Sequence, residues 1–157
     1  MWLNSETFQT VVSSTPLVSI DLVVQNAHGE VLLGQRLNRP AKGYWFVPGG
    51  RILKNESLDQ AFHRLALTEL GAAFPRSRAR FLGVYEHFYA DSVFGATADP
   101  QPDTHYVVLG YQFCLTACER LQLPHVQHDT YRWWPVAEAH ASDCVHDNTR
   151  AYLAALG

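Results

Sequence analysis

The sequence predicts a mixed domain of the α/β (α+β) class, and three observations carry that prediction. Apolar residues are 47% of the 157 positions, which suits a globular core in the size range of one domain, with no need of a disulfide or metal staple. Strand-like runs outnumber helical ones along the chain. One central helical pattern, from Ser57 to Leu70, stands between strand runs with no regular strand–helix alternation, which argues against a βαβ repeat. The chain therefore reads as a single domain over 1–157.

Each element has a local reason. Ser5 to Ser13 reads as a short helix. Leu17 to Val24 is a strand rich in β-branched residues. Asn26-Ala27-His28-Gly29 has turn chemistry and leads into a second strand, Val31 to Arg36, so the two form a hairpin. Tyr44 to Val47 reads as a short strand stopped by Pro48-Gly49-Gly50. Ser57 opens the central helix and Gly71 ends it. Arg80 to Tyr89 and His105 to Leu115 are long strands. Between them Ala90 to Asp103 is a loop long enough to suggest a role such as a lid. Thr130 to Trp134 is a further strand, and Val136 to Ala141 and Asn148 to Leu156 read as helices.

Charge narrows the function. The net charge is −3, which disfavours a general nucleic-acid binder. The basic residues are ten Arg and two Lys, and five of them (Arg36, Arg39, Lys42, Arg51, Lys54) fall in one stretch without an acid. Such a patch in an acidic protein suits a small polyanion such as a diphosphate, which forked guanidinium groups grip well. Charged residues are 17% of the chain, below the roughly 25% of an average domain, so some surface reads as covered by a second subunit. Cys114, Cys118 and Cys144 are odd in number and lack a C-x-x-C pair, which reads as free, buried thiols in a reducing compartment. No basic segment followed by an apolar run opens the chain and no apolar run is long enough to span a bilayer, so a cytoplasmic protein is expected.

The central stretch holds the most chemistry. Gly49-Gly50 lets the backbone approach a ligand, and a helix N-terminus follows. On a helical wheel, with Leu58 as zero, Phe62 lies at about 40°, Leu65 at about 340° and Glu69 at about 20°. Glu69 thus stands in the apolar stripe, where a carboxylate needs a partner or a metal.

Gly50, Glu56, Arg64, Glu69 and Gly71 have the spacing of the signature helix of the Nudix hydrolases, which this stretch resembles. Leu65 and Thr68 stand where that family usually carries glutamates. The resemblance implies an α/β/α sandwich around a mixed β-sheet. It also implies hydrolysis of a nucleoside diphosphate linked to another group. Further words narrow it: Ser14-Thr15-Pro16-Leu17-Val18-Ser19, Asn38-Arg39-Pro40-Ala41, Gly43-Tyr44-Trp45-Phe46-Val47-Pro48-Gly49-Gly50-Arg51, Thr104-His105-Tyr106-Val107-Val108-Leu109-Gly110 and Gln127-His128-Asp129. These are similar to the GDP-mannose mannosyl hydrolase subgroup. There, water attacks the anomeric carbon and not phosphorus, and the products are GDP and the inverted free hexose.

For this chain the resemblance implies Mg²⁺ as cofactor, with the Gly49 carbonyl, Glu69 and Gln127 as its protein ligands. It implies His128 as general base, Arg36 and Arg51 on the diphosphate, and Asp21 and Tyr106 as assisting catalytic groups. Trp2, Leu3 and Phe8 match nucleotide contacts. GDP-mannose is the expected substrate, GDP-glucose the second, and a homodimer the expected assembly, with no nucleic-acid or membrane partner. Plainer readings stand beside these: Arg36 capping a hairpin face, Arg51 paired with Glu56, Asp21 in a structural salt bridge, Tyr106 in the core, and Trp2 and Phe8 in packing. Two other functions compete: a conventional Nudix pyrophosphatase cutting at phosphorus, which the missing glutamates oppose, and a silent GDP-sugar binder.

Overall fold

A computed structural model describes residues 2–124 and 128–156, and at 128 and 129 the backbone only. The described residues form β1 (Leu17–Gln25), β2 (Val31–Arg36), β3 (Trp45–Phe46), β4 (Gly49–Arg51), β5 (Arg80–Tyr89), β6 (Thr104–Cys114) and β7 (His128–Trp134). The helices are α1 (Ser5–Ser14), α2 (Leu58–Leu70), α3 (Val136–Ala141) and α4 (Asp147–Leu153). The strands join in one sheet of order β3-β2-β1-β6-β5, with β4 also on β1 and β7 on β2. The β1–β6 pairing is parallel, from Leu17 opposite Tyr106 to Gln25 opposite Cys114, and its neighbours are antiparallel. The sheet is therefore mixed, as expected.

The period of two along β1 sorts its side chains to two cores. Ile20, Leu22 and Val24 pack with Phe62, Leu65 and Leu70 of α2. Val23 faces the other way, into a core holding Leu33, Val108, Ala139 of α3 and Tyr152 and Leu153 of α4. Helices thus cover both faces, which is the α/β/α arrangement. The same alternation sends Asp21, an odd-numbered neighbour of Val23, to the α4 side.

Helix α2 is fixed at both ends. Ser57 caps it by accepting from the Gln60 amide, and the Gln60 side chain accepts from the Ser57 amide, a reciprocal capping box. Gly71 ends it at φ 69°, against the backbone of Gln122, a conformation and a contact that leave no room for a side chain.

Several expectations are corrected. Ser57 is the cap and not the first helical residue. Pro48-Gly49-Gly50 does stop β3, but Gly49–Arg51 returns as β4 against β1, with Asp21 opposite Gly49; the partner strand imposes an extended backbone that two glycines do not signal. Helix α4 stops at Leu153, short of the predicted Leu156. All three cysteines are free but exposed rather than buried: Cys114 is the last residue of β6, and the others sit outside helices and strands. The 90–103 loop is folded against α1: Ser92 is buried, Phe94 packs on Phe8 at 5.7 Å, and Asp91 accepts from the Thr104 hydroxyl at 2.7 Å. Among the described residues no helix is long and apolar enough to cross a membrane.

Candidate active site

Where β4 leaves β1 for α2, a cleft of about 420 Å³ opens. Two walls line it. One comes from β4 and α2: Gly49, Gly50, Arg64, Leu65, Thr68 and Glu69. The other comes from the sheet: Asp21 of β1, Arg36 of β2, His87 and Tyr89 of β5 and Tyr106 of β6. The described carboxylates of the lining are Asp21 and Glu69.

On the α2 wall, Glu69 sits as the helical wheel requires, at 7% exposure among apolar neighbours. Burial pushes its carboxyl up to about 7, against the pull of Arg36 and Arg64. Glu56 and Arg64 form a bidentate pair, 2.7 and 2.8 Å, while Glu56 accepts from the Leu53 amide and Arg64 donates to the Arg51 carbonyl. This clasp ties the loop after β4 to the middle of α2. It also settles one alternative, since Glu56 is bonded to Arg64 and not to Arg51. Of the two missing family acids, Leu65 is buried in the core against Gly50, and the Thr68 hydroxyl turns back to donate to the Arg64 carbonyl at 2.9 Å.

On the sheet wall, Asp21 accepts a hydrogen bond from the Tyr152 hydroxyl at 2.7 Å. Burial pushes its carboxyl up to about 6, with the Tyr152 bond and Arg36 opposing. No described cation stands within ion-pair distance, so the structural salt bridge is not formed. Gly49 has no side chain because a Cβ there would strike Asp21 Oδ1 and lie 2.6 Å from the Ile20 carbonyl. His87 is 4% exposed and burial holds its imidazole down to about 4, so it is neutral at physiological pH.

Arg36 and Arg51 reach the cleft without a carboxylate partner among the described residues. The Arg36 Nε donates to the Pro40 carbonyl at 3.0 Å, and the Arg51 guanidinium lies over the Phe8 ring at 4.7 Å. Both thus carry positive charge available to an anion. Trp2 lines the cleft at 74% exposure, with the Arg64 guanidinium 5.9 Å from its ring. Phe8 lines a smaller chamber of about 180 Å³ that shares Arg36, Pro40 and Tyr106 with the cleft, and Leu3 lines neither. The His128 backbone pairs with Arg36 in the β2–β7 ladder, which places it at the cleft edge, while its side chain and all of Gln127 lie outside the described residues.

Sequence reasoning missed His87, Tyr89 and Tyr152, and it named Arg64 only as part of the signature spacing. The strand alternation of β5 offered a signal for His87 and Tyr89, which share a face. Tyr152 offered none, being 131 positions from Asp21 along the chain.

A sequence profile described as NUDIX domain matches residues 15–156. The low-salt glycan biosynthesis protein Agl8 of Haloferax volcanii is 41% identical over 114 residues, 72% of this chain and 68% of that protein. Among solved structures, a MutT NUDIX hydrolase from Burkholderia pseudomallei superposes with TM-score 0.71 at 23% identity, covering 92% of this chain and 100% of the other. The MutT protein of Methanosarcina mazei gives 0.70 at 18% identity, covering 90% and 93%. With Gly50, Arg64 and Glu69 along one wall of the cleft, Glu56 bonded to Arg64 behind it and the profile spanning nearly the whole sequence, the chain belongs to the Nudix hydrolases.

Proposed function

We propose that this Nudix hydrolase splits a GDP-hexose, GDP-mannose first and GDP-glucose second, into GDP and free hexose by attack of water on the anomeric carbon with inversion. One observation carries the reading: the motif helix brings a single carboxylate, Glu69, to the cleft, with Leu65 in the core and the Thr68 hydroxyl turned back on its own helix. Attack at phosphorus by the usual family route draws on several glutamates to hold cations and activate water. Attack at carbon asks less of that wall. A diphosphate is already a stabilised leaving group, and the oxocarbenium-like transition state asks for a base and a negative charge near the sugar. The name of the archaeal relative ties that protein to glycan biosynthesis, a field of chemistry supplied by nucleotide sugars.

The donor set fits a hard divalent cation, because Glu69 and the Gly49 carbonyl offer oxygen. Glu69, Gly49 and Gln127 would hold Mg²⁺, which when bound supplies positive charge to the leaving diphosphate. Arg36 and Arg51 grip the diphosphate oxygens. His128 takes the proton from the attacking water, a task suited to an imidazole near neutral pH. Asp21 sets its negative charge beside the developing positive carbon, and Tyr106 orients the substrate. Trp2, Leu3 and Phe8 are the nucleotide contacts of this reading. In this reading the working unit is a cytoplasmic homodimer of one catalytic domain, acting on a small molecule and on neither nucleic acid nor membrane.

Product identity tests it. With GDP-mannose and Mg²⁺, phosphorus and anomeric-proton NMR are expected to show GDP and mannose of inverted configuration. GMP with mannose 1-phosphate would mean attack at phosphorus and would overturn the mechanism. Binding without turnover would favour a silent binder.

A further inference from the structure

We propose that Tyr152, on the last helix, is a positioning residue that fixes the Asp21 carboxylate for its work at the sugar. The proposal rests on the role given to Asp21 above.

The geometry is that of a built seat. Asp21 stands in register between two glycines, Gly49 on β4 and Gly110 on β6. Each glycine admits one partner of the pair. At Gly49 a side chain would strike the Asp21 carboxylate. At Gly110 a Cβ would lie 2.9 Å from Cε1 of Tyr152, so the bare backbone there makes room for the phenol ring beside Asp21. The ring is held from its other sides as well. Tyr85 packs edge-on at 4.5 Å, and His87 Nε2 stands 3.4 Å from the hydroxyl. Tyr152 is wholly buried and its helix neighbour Leu153 is in the same core. Packing therefore fixes where the hydroxyl points, and the hydroxyl in turn fixes one oxygen of Asp21.

The residue type supports this. A core position next to Leu153 needs only an apolar ring, which Phe supplies. A buried hydroxyl is costly unless it is bonded, and its short bond is to a carboxylate that lines the cleft. Tyr152 does not line the cleft itself, so it acts through Asp21. A carboxylate left to choose among rotamers loses part of the alignment that electrostatic stabilisation requires.

The test is a double-mutant cycle on the full chain with GDP-mannose and Mg²⁺. Asp21→Asn is expected to lower kcat by roughly 10²–10³-fold. Tyr152→Phe is expected to lower kcat by about 5–50-fold with KM held within about twofold, at a nearly unchanged Tm. In the Asp21→Asn background the same Tyr152→Phe change is expected to cost less than about twofold. Para-aminophenylalanine at 152, which restores a donor at the ring tip, is expected to recover most of the rate, and it serves equally if the Phe variant folds poorly. An equal cost of Tyr152→Phe in both backgrounds would overturn the proposal, as would a rate unaffected by Tyr152→Phe while Asp21→Asn is slow. An Asp21→Asn variant of normal rate would instead overturn the role of Asp21, and this inference with it.

Discussion

The two walls of the cleft hold their carboxylates by different means. On the α2 wall charge is answered by charge: Glu56 and Arg64 pair directly, and Arg36 and Arg64 bear on Glu69. On the sheet wall Asp21 is held by a neutral phenol, with a neutral imidazole beyond it. The α2 wall is suited to a cation, since a buried carboxylate pushed up to about 7 gains most from a metal that stabilises its charged form. The sheet wall keeps its carboxylate buried on a neutral hydrogen bond, with no ion pair among the described residues and Arg36 acting on it only through space. That arrangement suits a group whose partner charge arrives only with the reaction.

The largest effect expected is on the α2 wall. Glu69→Gln is expected to slow turnover by roughly 10³-fold or more and to shift the Mg²⁺ titration to higher concentrations. An unchanged Mg²⁺ titration would remove Glu69 from the metal site and erase the contrast between the walls. His128→Ala is expected to cost about 10²–10⁴-fold, the usual worth of a general base, with Mg²⁺ activation intact. A loss of a few-fold only would assign the base elsewhere.

The sheet wall is expected to trade activity for stability. The Asp21 carboxyl rises from its ordinary 3.8 to about 6 in the folded chain. Between those values the folded state binds the proton more tightly than the unfolded chain does. Stability from this group is therefore present below about pH 4 and lost as pH climbs through 6. Glu69 has the same sign, over a window ending near 7. Asp21→Asn keeps an acceptor for Tyr152 and removes the penalty. It is expected to gain on the order of 1–3 kcal/mol at pH 7.5 and little at pH 4, while activity falls. Thermal unfolding at the two pH values checks it, and a variant less stable at pH 7.5 would mean that Asp21 holds the fold together.

Glu56 is expected to behave in the opposite way. Its carboxyl is held below the usual range, first by the Arg64 hydrogen bonds, so its contribution is present at neutral pH and lost as the solution is acidified through the folded value. Glu56→Gln is expected to cost about 1–3 kcal/mol of stability at pH 7, with the deficit shrinking in acid. Urea unfolding at pH 7 and pH 4 reads both.

The walls also differ in how much the sequence discloses. The α2 wall is nearly all local. Gly50, Glu56, Arg64, Glu69 and Gly71 lie within one short stretch of chain, and the helical period alone puts Glu69 among Phe62 and Leu65. The strands of the sheet were legible from their alternation, apart from β4, whose glycines carry no pattern of their own. The sheet wall is assembled from β1, β2, β5 and β6, with α4 packed behind it. Asp21 and Tyr106 were reachable only through the resemblance. The Tyr152 contact depends on the parallel β1–β6 register and on two glycines in adjoining strands, and no window of sequence contains it. The exposure of the cysteines follows from the same limit, since burial is a tertiary property that residue type only biases.

Restoring the two absent family acids separates position from chemistry on the α2 wall. Leu65→Glu places a carboxylate at 2% exposure between Phe62 and Gly50. A buried charge without a partner is expected to cost about 3–5 kcal/mol, so this variant loses the fold before it gains a ligand. Thr68→Glu is different, because Thr68 is exposed and lines the cleft one residue from Glu69. It is expected to fold normally and to tighten Mg²⁺ binding by less than about tenfold. Its products are expected to remain GDP and free hexose, because the base and the carboxylate proposed for the anomeric carbon, His128 and Asp21, stand on other elements. Product NMR reads this directly. The appearance of GMP and sugar phosphate would show that one carboxylate on α2 selects the bond that breaks, and that the sheet wall follows the choice and does not make it.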